Sequence, residues 1–227
     1  MLILGSPLIA GCGAQRNITE EVSNPAADLS SENILALNDA PAYFNRGNAK
    51  IELKDYQGAI ADYNKAIEIN PQYAHAYNNR GNSKDELKDY QGAIADYTKA
   101  IEINPQYAAA YNNRGLLKDD LNNYQGAIAD FNKAIEIDPQ YAYAYNNRGI
   151  AKRKLEDYQG AIADYNKAIE INPQYGDAYS NRGITKGIGF GDENGACDDF
   201  KKAASLGDEY RINWLNSEDG AWCRNMK

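Results

Sequence analysis

The sequence predicts an all-α chain, an α-α superhelix (solenoid) of about five helix pairs closed by a C-terminal capping helix. The triplet Asn-Arg-Gly recurs at Asn45, Asn79, Asn113, Asn147 and Asn181, each 34 residues after the last. A fixed period of this size marks stacked supersecondary units. Within one period, 74–107, Tyr77, Gly81, Lys84 and Leu87 fall at i, i+4, i+7 and i+10, on one helical face. Ala93, Ile94, Tyr97, Ala100 and Ile101 then follow i, i+1, i+4, i+7 and i+8, the stripe of a second amphipathic helix.

Composition sets the outer bounds. The 227 residues are 43% hydrophobic and 25% charged, with 24 Lys and Arg against 32 Asp and Glu and a net charge of −8. That acidic balance argues against general nucleic-acid binding, which needs a basic footprint. No stretch approaches the roughly 18 apolar residues of a membrane-spanning helix.

Residues 1–11, Met-Leu-Ile-Leu-Gly-Ser-Pro-Leu-Ile-Ala-Gly, read as a signal-type segment, an apolar run followed by small residues. The basic stretch that opens such signals is not among them. Leu8-Ile9-Ala10-Gly11-Cys12 resembles the lipobox of bacterial lipoproteins, in which the signal is cut before a Cys that receives a diacylglyceryl group. That resemblance implies lipidation at Cys12, export, and a lipid anchor in a membrane of the bacterial cell envelope, on its periplasmic or surface-facing side. The other reading is an ordinary unmodified terminus. Residues 12–39 carry this Cys and then turn to Gln, Asn, Ser, Pro and Ala without a helical stripe, the composition of a flexible tether. Ile34, Leu35 and Leu37 follow Ser30, Ser31 and Asn33, a short turn or helix that shields the first repeat.

Five repeats follow, 40–73, 74–107, 108–141, 142–175 and 176–209. In the second, helix A ends before the turn at Lys88-Asp89, Asp89 caps helix B, and Pro105 pushes Asn104 out of the helical region so that helix B stops near Ile103. One such pair cannot bury its apolar faces, so neighbours stack.

The spacing resembles the tetratricopeptide repeat: an aromatic at position 4, Gly at 8, Ala at 20, an aromatic at 24, Ala at 27 and Pro at 32. In the second copy these are Tyr77, Gly81, Ala93, Tyr97, Ala100 and Pro105. The small residues also have a packing reason, since helix axes about 8–10 Å apart leave no room for a large side chain at the crossing. The chain departs from the family at position 7, where Arg46, Arg80, Arg114, Arg148 and Arg182 replace the usual Leu, and at position 11, where Lys stands. A long aliphatic stem fills such a site while its charge reaches the edge. Asp62, Asp96, Asp130 and Asp164 at position 23 are the partners expected for that charge.

The fifth copy needs a one-residue insertion, placed in Gly187-Ile188-Gly189-Phe190-Gly191 and read as a loosened loop rather than a phosphate loop, because no strand and no βαβ unit precede it. In the C-terminal cap, 210–227, Tyr210, Trp214 and Leu215 make a capping helix. Cys197 and Cys223 form an even pair in an exported chain, for which a disulfide is the default; the other reading is two small buried hydrophobes. There is no Cys-x-x-Cys, no Cys/His cluster and a single His, His75, so no metal-ligand or catalytic pattern emerges and no cofactor is implied.

The resemblance implies that helix A lines a concave surface through positions 2, 5, 6, 9, 12 and 13. Position 6 is the Asn column named above. Each amide offers donors and an acceptor, which either bracket the backbone of an extended peptide or bond along the helix or to a neighbouring repeat. Position 9 runs Asn82, Leu116, Ile150 from polar to apolar, while Asp119 and Arg153 at position 12 change sign, and Tyr143 adds aromatic area. These residues are the candidate partner-binding set. The function expected is a non-catalytic scaffold that binds an extended peptide or partner protein at an envelope membrane. Self-association into a structural envelope component is the competing class.

Overall fold

The computed structural model describes residues 39–226, and among these every regular element is helical. The contacts divide the chain between Leu121 and Asn122. The first unit holds α1 (Ala40–Glu52), α2 (Tyr56–Ile69), α3 (Ala74–Glu86), α4 (Tyr90–Ile103) and α5 (Ala108–Asp120). In it α1 packs on α2, α2 on α3, α3 on α4 and α4 on α5. The second holds α6 (Tyr124–Ile137), α7 (Ala142–Lys154), α8 (Tyr158–Ile171), α9 (Gly176–Phe190), α10 (Glu193–Ser205), α11 (Glu209–Asn216) and α12 (Ala221–Arg224). There too each helix packs on the next.

Local chemistry sets the ends. Asp55, Asp89, Asn123, Asp157 and Asp192 cap the second helix of each pair by accepting from the backbone N–H of the glycine three residues on. Those helices stop at Ile69, Ile103, Ile137 and Ile171, where an extended Asn or Asp precedes Pro. The side chain of that residue then accepts from the N–H of the Gln after the Pro and fixes the turn. This is the capping and termination expected of Asp89 and Pro105.

Where α1 crosses α2, α3 crosses α4, α7 crosses α8 and α9 crosses α10, a glycine meets a ring. A Cβ on Gly81 would stand 2.7 Å from Cε1 of Tyr97, and one on Gly149 2.6 Å from Cε1 of Tyr165, so only hydrogen fits. Those rings are fully buried, as are Ala93 and Ala161 beside them. The position-7 arginines do more than reach an edge. Arg80 Nη2 lies 2.6 Å from Asp96 Oδ1 and Lys84 Nζ 2.7 Å from Asp96 Oδ2. Arg148 and Lys152 hold Asp164 in the same way, and Arg182 and Lys186 hold Asp199. Each guanidinium also donates to helix B of the preceding repeat: Arg80 to Asn64, Arg114 to Thr98, Arg148 to Asn132 and Arg182 to Asn166. It lies over the position-4 ring of its own helix, at 5.2 Å for Arg80 over Tyr77. One side chain thus ties three helices, which a leucine cannot do.

The fifth pair corrects one expectation. Gly187-Ile188-Gly189-Phe190 is not a loop: α9 runs through Phe190, and the turn is confined to Gly191 and Asp192. Gly191 takes the left-handed conformation, φ 64°, that Lys54, Lys88, Asn122 and Glu156 take in the other copies. The extra residue lengthens the helix, and Arg182 meets Asp199 17 positions away where Arg148 meets Asp164 at 16. Within that helix Gly189 leaves room for the Tyr158 ring, since a Cβ there would lie 2.6 Å from Cγ of Tyr158.

The end of the chain is closed by α11, capped by Asp208. Trp214 meets Phe200 edge-on with centroids 5.1 Å apart, and the buried Arg211 lies 4.1 Å over the same ring. Cys223 on α12 is bonded to Cys197 on α10, with Cα atoms 5.4 Å apart.

Candidate functional site

The helix A surface begins with the asparagines. In the first unit Asn79 Nδ2 donates to Asn48 Oδ1 at 3.0 Å, and Asn113 Nδ2 donates to Asn78 Oδ1 at 3.2 Å and Asn82 Oδ1 at 3.1 Å. In the second, Asn181 Nδ2 donates to Asn146 Oδ1 at 3.1 Å. Asn113, Asn147 and Asn181 are buried, Asn79 is half-buried and Asn45 is exposed. Of the two readings of this column, the structure shows the bond to the neighbouring repeat. A buried amide must find a partner inside the protein, and the preceding helix A offers position 5 or 9. The interior amides of Asn113 and Asn181 therefore tie together the A helices of consecutive repeats.

The other candidates divide likewise. Leu116 and Ile150 are buried, 2% and 7% exposed, and pack within the stack. Asp119 is buried and Arg153 half-buried. Arg153 reaches the hydroxyl of Tyr165, whose pKa burial pushes up to about 12, with the nearby guanidinium acting against that rise. Tyr143 is half-buried and meets Tyr175 edge-on, centroids 5.0 Å apart, with Tyr141 on its other side. His75 shares a 2.9 Å hydrogen bond with the Tyr107 hydroxyl.

A cavity of about 210 Å³ lies between α1 and α3. Ile51 and Glu52 come from the last turn of α1, Lys54 from the turn that follows, and Tyr56 and Tyr63 from α2. Asn79, Asn82 and Glu86 face it from α3. These are positions 12 and 13 of the first repeat and 6, 9 and 13 of the second, the surface assigned to helix A. Tyr63 is fully buried and its hydroxyl donates to Asn48 Oδ1 at 2.8 Å. Asn82, 7% exposed, accepts on Oδ1 from Tyr97 and Asn113, and its Nδ2 is buried without an acceptor. The sequence pointed to Asn79 and Asn82 and, through positions 12 and 13, to Ile51, Glu52 and Glu86, but not to Lys54, Tyr56 and Tyr63, which lie outside the helix A positions.

Cys12, the segment 1–11 and the tether up to residue 38 lie outside the described residues. Among the described residues no group of three or more His, Cys, Asp or Glu is placed to hold a metal ion, and no helix is long and apolar enough to cross a membrane.

The model of the tetratricopeptide repeat matches residues 40–73, 74–107, 108–141 and 142–175. Among solved structures the chain is similar to MamA protein, with 26% identity over 77% of this chain and 94% of that one and a TM-score of 0.63. It is also similar to PilW, described as a widely conserved type IV pilus biogenesis factor, with 25% identity, 81% and 90% coverage and a TM-score of 0.69. With YrrB, described as a TPR protein with an unusual peptide-binding site, it shares the fold at 20% identity, 82% and 96% coverage and a TM-score of 0.61. A comparison with curated proteins gives no match.

Proposed function

Because this chain belongs to the tetratricopeptide repeat family, we propose that it is a non-catalytic protein-interaction scaffold that holds an extended peptide, or an extended segment of a partner protein, against its helix A surface. The observation that carries this reading is the cavity between α1 and α3, formed by helix A positions 12 and 13 of one repeat and 6, 9 and 13 of the next. The peptide-binding site named for YrrB is in keeping with it. The Asn column sets the helix spacing, and the residues around the cavity supply the contacts.

The test is a photoreactive amino acid introduced singly into the full-length protein in intact envelopes. At position 86, beside the cavity, it should form a crosslinked adduct with a second protein. At position 99, exposed on α4, it should not. Equal capture from both positions contradicts the reading. Light scattering of the purified protein addresses the competing class, since a monomer at micromolar concentration removes self-assembly.

The scaffold is tethered, on this reading, to a bacterial envelope membrane through acyl chains on Cys12, each buried CH₂ contributing about 0.8 kcal/mol. Cys12→Ser should move the protein from the membrane pellet to the soluble fraction; unchanged sedimentation with membranes removes the anchor.

A further inference from the structure

We propose that the cavity between α1 and α3 receives a lysine or arginine side chain of the bound peptide, its aliphatic stem against Ile51 and the rings of Tyr56 and Tyr63 and its cation facing Glu52 and Glu86. The proposal deepens the peptide-scaffold reading and rests on it.

The size selects a side chain. At about 210 Å³ the space is smaller than the roughly 300–1,000 Å³ of pockets that enclose a whole small molecule. The walls then select its chemistry. A buried tyrosine ring and a half-buried Ile51 and Tyr56 suit methylene groups, whereas Glu52 and Glu86 are exposed and carry two negative charges against the one positive charge of Lys54. Lysine and arginine are the side chains with an apolar stem and a cationic tip. Glu86 also lies against Tyr56: burial first, then the Glu86 charge and hydrogen bond, raise the pKa of the phenol. A cation at this point meets a carboxylate and an aromatic face together. The buried Nδ2 of Asn82, which has no acceptor, offers a donor to a carbonyl of the same peptide.

The chain contains its own copy of such a complex. Tyr56 stands at position 17 of the first repeat and Glu86 at position 13 of the second. The same two positions in repeats three and four are Tyr124 and Lys154, and there Lys154 Nζ lies 5.2 Å over the centroid of the Tyr124 ring. The second unit thus places an internal ammonium on the tyrosine that corresponds to Tyr56. In the first unit the corresponding residue is a carboxylate, which leaves the ring to a cation from outside.

The test titrates the full chain, labelled with ¹⁵N, with three acetylated and amidated Gly/Ser hexapeptides that differ only at one central residue: lysine, norleucine or glutamate. The lysine peptide should shift the resonances of Ile51, Glu52, Asn82 and Glu86, and the norleucine and glutamate peptides should leave them in place. Glu52→Gln and Glu86→Gln should each weaken the lysine peptide about two- to fivefold, the range of a solvent-facing ion pair. Glu86→Lys should abolish its binding while the melting curve stays unchanged. Free cadaverine, offered separately, should bind more weakly than the lysine peptide; equal binding would make the site one for free amines and overturn the peptide assignment. Norleucine binding as well as lysine, or affinity indifferent to both Gln variants, also overturns the proposal. If crosslinking from position 86 still captures a partner in that case, the scaffold reading stands and only the choice of side chain falls. If that capture fails too, both fall.

Discussion

Gly81→Ala separates packing from helix propensity by its sign. In an isolated helix the change stabilises by about 1 kcal/mol. Here the new Cβ would stand 2.7 and 2.9 Å from Cε1 and Cδ1 of Tyr97 and 3.3 Å from the carbonyl oxygen of Ala93. The ring must retreat by several tenths of an ångström, but it is fully buried and held by the 2.9 Å bond from its hydroxyl to Asn82. Overpacking of this kind costs about 1–3 kcal/mol, so the expected net effect is a loss of up to about 2 kcal/mol. Gly187→Ala is the control. It is also helical, its Cβ would meet only Ala196 Cβ at an ordinary 3.9 Å, and it should stabilise or be neutral. Urea unfolding followed by circular dichroism reads both, and Gly81→Ala should cost less in a Tyr97→Leu background, where the ring is gone. Equal stabilisation by the two alanines would refute the account of the helix crossing.

Three further outcomes are expected. Asn113→Ala should lower the melting temperature, because it removes two hydrogen bonds from a fully buried site and leaves the buried Asn78 Oδ1 without that donor, a cost of about 1–3 kcal/mol; an unchanged melting curve would return the amide to the surface. Replacing Cys197 and Cys223 together by Ala should cost about 3–4 kcal/mol for a closed loop of 26 positions, and chemical denaturation of that variant beside the parent checks it. Burial raises the pKa of Asp62, but the hydrogen bonds and charges of Arg46 and Lys50 outweigh it and hold the carboxyl below its usual value. A depressed carboxylate contributes stability that is present above its unfolded pKa, near 4, and is lost as pH falls through the folded value. Asp62→Asn should therefore flatten the acid limb of the melting temperature against pH, and an unchanged limb contradicts this.

The sequence made the periodic parts legible because the same few positions solve the same packing problem in every copy. The small residues Gly81 and Ala93 at the helix crossing and Asp89 at the start of α4 follow from spacing and capping alone. The pairing of position 7 with position 23 was also readable, since an arginine inside a leucine site needs an acid. Its second bond, to position 25 of the preceding repeat, was hidden because Asn64, Thr98, Asn132 and Asn166 are polar, and all but the half-buried Thr98 are exposed, so they look like solvated surface. The Asn column was ambiguous for a physical reason: an amide has the same chemistry toward a peptide and toward another amide, and only burial distinguishes them. Low intrinsic helix propensity made the glycine run after Lys186 look like a loop, whereas α9 continues through it and Gly189 is the residue that lets the helix pass the Tyr158 ring. The cavity lies between repeats, so no single repeat spells it out.

The most direct test of the central claim is calorimetric affinity for the segment of the partner captured from position 86, made as a synthetic peptide. It should be titrated into the full-length protein and into the variants Glu86→Lys and Lys99→Ala, the second changing an exposed residue of α4 that pairs with Glu102. Glu86→Lys should remove binding, Lys99→Ala should leave it at the parent value, and both variants should melt with the parent. Equal loss in the two variants, or equal affinity in all three proteins, would contradict a binding surface formed by helix A.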